Sequence, residues 1–187
     1  MSQFEVTLAG FGGQGIMTAG QLLAYTAMKE EKQVIWLPSY GPEMRGGTAY
    51  CSVVISDTRI GSPVIDNPTA VCVFNRPSFD KFSPRVKAGG LLIINSSLID
   101  VTSDRNDITQ LHIPANDIAL KSGNGKAANI VVLAALVGAT NVVMIENLRT
   151  ELEHRLAKKP ELLDINLKVL DQGHKLGVQA TPAKEQA

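Results

Sequence analysis

Phe4-Glu5-Val6-Thr7-Leu8-Ala9-Gly10-Phe11-Gly12-Gly13-Gln14-Gly15-Ile16 decides the fold. Residues 4–9 are rich in β-formers, and glycines follow at 10, 12, 13 and 15. Residues 16–32 then take up a helical period, with Ile16, Gly20, Leu23, Ala24 and Ala27 on one face. Strand, glycine turn and helix in that order open a doubly wound α/β domain. The run from Gly10 to Gly15 satisfies G-x-G-x-x-G in the position where that motif has physical meaning. A glycine at the strand end allows a tight turn, the next lets backbone approach a ligand phosphate, and the last permits close helix–sheet packing. The amides that open the following helix favour an anion. A tight turn with no ligand is the competing reading.

Outward from this turn the pattern continues as α/β. Residues 33–37 (QVIWL) form a second strand, stopped by Pro38, and residues 39–47 (SYGPEMRGG) form a loop by their glycine and proline content. Residues 48–56 alternate as a strand. Asp57-Thr58 is a turn from which residues 59–65 can return as a β-hairpin. Apolar runs at 69–74 and 91–95 read as buried parallel strands bracketing a helix near 77–87, with a further strand at 110–113. Helices are expected at 114–120, 126–139, 146–158 and 161–175, the second of them apolar almost all round. The fold class is therefore α/β: a Rossmann-like open, mainly parallel sheet flanked by helices, with a β-hairpin insertion. One domain spans residues 1–177, and residues 178–187 form a loose tail.

Composition narrows the function. Of 187 residues, 18 are basic and 18 acidic, so the formal net charge is zero, which argues against nucleic acid or an anionic membrane surface as partner. Two cysteines, Cys51 and Cys72, are too few for an iron–sulfur cluster or a four-thiolate zinc site. The longest apolar run, residues 130–139, falls short of the roughly 18 residues of a membrane span, and the first residues lack the basic lead of a signal peptide. A cytoplasmic location is the expectation. An NAD enzyme is disfavoured because no carboxylate stands at residues 35–40 to hold the ribose, and no Lys-Ser/Thr pair follows the glycines as in a nucleoside triphosphatase.

The loop at 39–47 should lie beside the glycine turn, because ligands in open sheets sit at the carboxyl ends of strands. Arg45, between glycines, can reach a phosphate or carboxylate as a bidentate donor. A pair with Glu43 or an anchor within the loop is the alternative.

Taken together, GFGGQGI at 10–16, SYGPEMRGGTAYCSVVIS at 39–56 and GNGKAAN at 123–129 resemble the gamma subunit, or gamma domain, of the 2-oxoacid:ferredoxin oxidoreductases. The resemblance runs from about Val6 to Ala139 and loosely beyond. It implies oxidative decarboxylation of a 2-oxoacid to an acyl-coenzyme A within a heteromeric complex. The gamma unit is associated with coenzyme A, while thiamine diphosphate, magnesium and iron–sulfur clusters sit on alpha, beta and delta partner subunits. Ferredoxin or another acceptor is reached through the complex. The spelling at 39–45 is similar to the 2-oxoglutarate-type or branched-chain-type enzymes, the former preferred. Carried onto this chain, the resemblance and the glycine chemistry nominate Gly10, Gly12, Gly13, Gln14, Gly15, Ser39, Tyr40, Arg45, Gly46, Asn124 and Asn129 as ligand-binding residues. No catalytic or metal-ligating residue is nominated. A homodimer of the isolated chain is left open, and an adenine-nucleotide-binding regulatory protein on the same fold is the alternative function.

Other residues have plainer readings. His112, His154 and His174 show no metal spacing. Cys51 and Cys72 read as buried small hydrophobes, and Trp36 as core of the second strand. Lys126 reads as a solvated lysine more readily than an anion contact, and Asn124 before Gly125 can equally shape a turn and cap a helix.

Overall fold

The computed structural model describes residues 3–39 and 48–180. Tyr40, Arg45 and Gly46, together with most of the expected tail, lie outside the described residues. The parallel core is formed by β1 (Phe4–Phe11), β4 (Ala70–Val73), β5 (Leu91–Asn95) and β6 (Thr109–Ile113). Beyond β1, the sheet is completed by β2 (Gln33–Ser39) and β3 (Thr48–Ser56), giving the order β2-β3-β1-β4-β5-β6. The Rossmann-like, mainly parallel sheet is therefore as expected.

The hairpin is built differently from the expectation. β3 runs antiparallel to both β1 and β2, with Val6 opposite Val53 and Trp36 also opposite Val53 on its other side. The hairpin is thus β2–β3, joined by residues 40–47, and residues 59–65 form no strand. Gly61 and Pro63 explain this: proline cannot donate to a ladder and glycine packs nothing. β3, by contrast, presents Cys51, Val53 and Ile55 to one buried face of the sheet.

Most helices cover a single face. α1 (Ile16–Lys29), α4 (Ala128–Thr140), α5 (Ile145–Leu156) and α6 (Pro160–Ala180) close over Val6, Leu8, Cys72, Ile93 and Ile113. The other face, with Ala9, Val71, Val73, Leu92 and Ile94, is covered by Phe79 and Phe82 of α2 (Arg76–Phe82) and by Val86 and Ile99. α4 is buried from Ala128 to Gly138, as its unbroken apolar sequence requires. It packs almost backbone to backbone on α6: a Cβ at Gly177 would stand 2.1 Å from the Ala135 carbonyl oxygen, and one at Gly173 would stand 2.3 Å from that of Val131. α6 continues through Ala180, past the point where the loose tail was expected to begin.

Candidate functional site

The chain leaves β1 for α1 on one side of the sheet and returns through β3 to β4 on the other. The carboxyl ends of β1 and β4 are therefore a topological switch point, where open α/β sheets carry ligands. The glycine turn occupies that place. Its shape depends on Gln14, whose Oε1 accepts the Phe11 N–H at 2.6 Å while its Nε2 donates to the Phe74 carbonyl at 3.2 Å. This one side chain ties the turn to the end of β4.

The glycines have distinct tasks. Gly10 lies within β1, opposite Ala49, and a Cβ there would meet the Gln14 Oε1 at 2.6 Å and the Phe74 Cβ at 2.9 Å. Gly13 takes φ +95° and faces open space, so its backbone can be approached from outside. Gly15 takes φ +75°, and its carbonyl accepts a hydrogen bond from the Asn129 Nδ2 at 3.1 Å. Close packing of α1 on the sheet, expected of the last glycine in the motif, belongs instead to Gly20. A Cβ there would lie 2.5 Å from the Cys51 sulfur and 3.0 Å from the Trp36 indole nitrogen.

Beside the turn lies a small cavity of about 150 Å³, lined by Gly13, Gln14, Phe74, Asn116, Gly125, Lys126 and Ala128. Two further elements reach it: α3 (Ala115–Lys121), which carries Asn116, and the 3-10 turn Gly125–Ala127 before α4. Of the residues nominated from sequence, Gly13 and Gln14 therefore face the cavity. Asn124 and Asn129 stand next to it with their side chains engaged. The Asn124 Oδ1 accepts the Lys126 N–H at 3.0 Å and so caps the 3-10 turn, while Asn129, buried on α4, clamps the glycine turn. Ser39 is elsewhere, in a separate open cleft of about 340 Å³ on the hairpin with Leu37, Tyr50, Ser52 and Val64.

Asn116 was not nominated, and nothing in its local sequence marks it. It reaches the cavity through α3 docking on Asn95 at the end of β5, a contact that only the topology creates. Both cysteines are fully buried, and burial pushes the Cys51 thiol up to about 11 and the Cys72 thiol higher still. Both are closed off from solvent. The described residues contain no group of three or more His, Cys, Asp or Glu side chains able to hold a metal ion. No helix among them is long and apolar enough to cross a membrane.

An open, mainly parallel sheet with a glycine turn and a small cavity at its switch point defines a Rossmann-like α/β unit. The chain belongs to the pyruvate ferredoxin/flavodoxin oxidoreductase family, which matches residues 5–176. It is 39% identical over 173 residues to the ketoisovalerate oxidoreductase subunit VorA of Methanothermobacter marburgensis, covering 91% of this chain but 36% of that protein. The chain thus spans about a third of the length of that curated relative. Other relatives are subunits of 2-oxoglutarate synthase, indolepyruvate oxidoreductase and pyruvate synthase. Among solved structures, the gamma subunit of the keto/oxoacid ferredoxin oxidoreductase from Geobacter sulfurreducens superposes with a TM-score of 0.82 at 29% identity, covering 94% of this chain and 99% of that one. The 2-oxoglutarate:ferredoxin oxidoreductase of Magnetococcus marinus, solved with 2-oxoglutarate, coenzyme A and succinyl-CoA bound, shares the fold with a TM-score of 0.89 at 24% identity, over 99% of this chain and 32% of that one.

Proposed function

We infer that this chain is the gamma subunit of a cytoplasmic, heteromeric 2-oxoacid:ferredoxin oxidoreductase, and that it contributes to coenzyme A binding and to assembly without carrying redox chemistry itself. The observation that carries the reading is the cavity at the switch point, where the open Gly13 backbone stands beside Lys126. Coenzyme A is an anionic nucleotide thioester former, and a glycine turn with an adjacent cation is suited to its phosphates. Its presence in the related Magnetococcus marinus enzyme supports the same choice.

The reaction sets the division of labour. Decarboxylation needs thiamine diphosphate with magnesium, and electron transfer to ferredoxin needs iron–sulfur clusters. With two cysteines, both buried, this chain is unsuited to ligating a cluster, and in our reading the clusters, like thiamine diphosphate and magnesium, belong to alpha, beta and delta partners. The isolated chain is then inactive. The 2-oxoacid is 2-oxoglutarate in our reading, and the 39% identity to a ketoisovalerate enzyme favours a branched-chain acid as the second reading.

Substituting Gly13 tests the site. Gly13→Val puts a branched side chain into the cavity mouth and strains a backbone at φ +95°. In the assembled complex the KM for coenzyme A should rise tenfold or more, while the KM for the 2-oxoacid stays near its original value. Unchanged coenzyme A kinetics in a folded, assembled variant would remove the ligand from this turn.

A further inference from the structure

We propose that the open cleft on the β2–β3 hairpin is a docking surface for a partner subunit, which lays a large apolar side chain next to a carboxylate against it. This rests on the reading of the chain as one member of a heteromeric complex, and it places a contact with that complex away from the glycine turn.

The sheet leaves this surface open. Residues paired across β2 and β3 share a face. Trp36 and Val53 point toward α1, which packs on both strands. Leu37, opposite Ser52, and Ser39, opposite Tyr50, point to the other side. There α2 packs on β1 and β4 and stops at Tyr50, whose ring lies 5.1 Å from that of Phe82. Past Tyr50 the floor of Leu37 and Ser52 is walled by Pro63, Val64 and Ile65, and the cleft between them measures about 340 Å³. Leu37 is 40% exposed and Val64 70%. β2 is also the terminal strand of the sheet, so the cleft opens at an edge that an extended chain can pass.

Charge names the occupant. The Lys81 Nζ stands 5.1 Å from the centroid of the Tyr50 ring and 5.2 Å from that of Phe82, and the Arg85 guanidinium stands 6.0 Å from Phe82. Arg85 also donates to the backbone carbonyls of Ile65 at 3.3 Å and Asp66 at 3.2 Å, which fastens the cleft wall to the segment after α2. Neither cation forms an ion pair with a described residue, and no residue lining the cleft is acidic. An apolar floor with two uncompensated cations on its rim is complementary to an apolar side chain next to Asp or Glu. That the occupant is polypeptide agrees with the VorA chain, in which the matching segment is 36% of the protein and further sequence is joined to it.

The test has two arms on the complex purified through a tag on this chain. In the first, Val64 is replaced by the photoreactive residue p-benzoylphenylalanine, the complex is irradiated, and the joined peptide is read by mass spectrometry. The expected product is a partner-subunit peptide with a large apolar residue next to Asp or Glu. Cross-linking to a second copy of this chain, to a partner peptide without an acidic residue, or to nothing would overturn the proposal. In the second arm this chain is titrated into its partner subunits. Lys81→Glu should raise the dissociation constant about tenfold at low salt, with the gap narrowing as salt rises, while Lys81→Arg stays near the unsubstituted chain. Lys81 is exposed, so the Tm of the chain should not move. Unchanged affinity of folded Lys81→Glu would refute the docking surface. If the unsubstituted chain brings its partners with it and only these variants fail to behave as expected, the heteromeric reading stands. If the unsubstituted chain purifies without any partner, both fall.

Discussion

At the scale of single residues, Asn129 shows how a polar side chain near a ligand site can serve the scaffold. It is buried on α4, and its amide closes a 3.1 Å hydrogen bond to the Gly15 carbonyl, 114 residues away in sequence. Removing a partner of such a bond costs about 1–3 kcal/mol. Asn129→Ala should therefore lose stability of that order in urea unfolding, and Asn129→Asp should lose more, because a carboxylate would face the carbonyl oxygen. Unchanged stability with a raised KM for coenzyme A would instead make Asn129 a ligand contact. The site was only partly legible at this scale. Gly13 could be read from the motif, because a turn between strand and helix needs a residue tolerant of positive φ. Lys126 reads as a solvated lysine, and the structure leaves it exposed at the edge of the cavity, whose presence the sequence does not display. Asn116 carried no signal, because its role arises from β5, placed beside β6 by pairing.

At the scale of elements, the parallel strands were readable because burial on both faces leaves unbroken apolar runs such as residues 91–94. The hairpin was not, because alternation marks a strand without naming its neighbour. β3 could pair with residues 59–65 that follow it or with β2 that precedes it, and Pro63 with Gly61 decides for β2. The junction between α1 and α5 has its own chemistry. The Glu30 Oε1 accepts from the Met144 N–H at 2.7 Å and the Asn147 Nδ2 at 2.9 Å, and its Oε2 pairs with Lys32 at 2.9 Å. Lys32 in turn donates to the Val142 carbonyl at 2.7 Å. Burial acts to raise the Glu30 pKa, but the hydrogen bonds from Asn147, Lys32 and Met144 together outweigh it and hold the carboxyl below its ordinary value. A carboxylate pKa depressed by folding adds stability above the unfolded pKa, and that stability is lost as pH falls through the folded value. Glu30→Gln should lower Tm at pH 7 by roughly 2–4 °C, the effect of about 1 kcal/mol in a domain of this size after solvent screening. The gap from the unsubstituted chain should close as pH falls below the ordinary carboxylate range. A gap that stays constant through acid would show that the carboxylate charge is not what joins the helices.

At the scale of the whole molecule, the proposed role of positioning a ligand and leaving electron transfer to others agrees with a chain of 187 residues without net charge and with two buried cysteines. The fold matches nearly the whole of the gamma subunit from Geobacter sulfurreducens, whereas the matching segment is about a third of the VorA chain. The unit is thus met both alone and joined to further sequence. The most direct measurement of the central claim is dye reduction that requires both a 2-oxoacid and coenzyme A, assayed on the complex captured through a tag on this chain and on the chain stripped of its partners. The account predicts turnover by the captured complex, faster with 2-oxoglutarate than with a branched-chain 2-oxoacid, and none by the stripped chain. Turnover by the stripped chain, or a captured complex inactive with every 2-oxoacid, would contradict it.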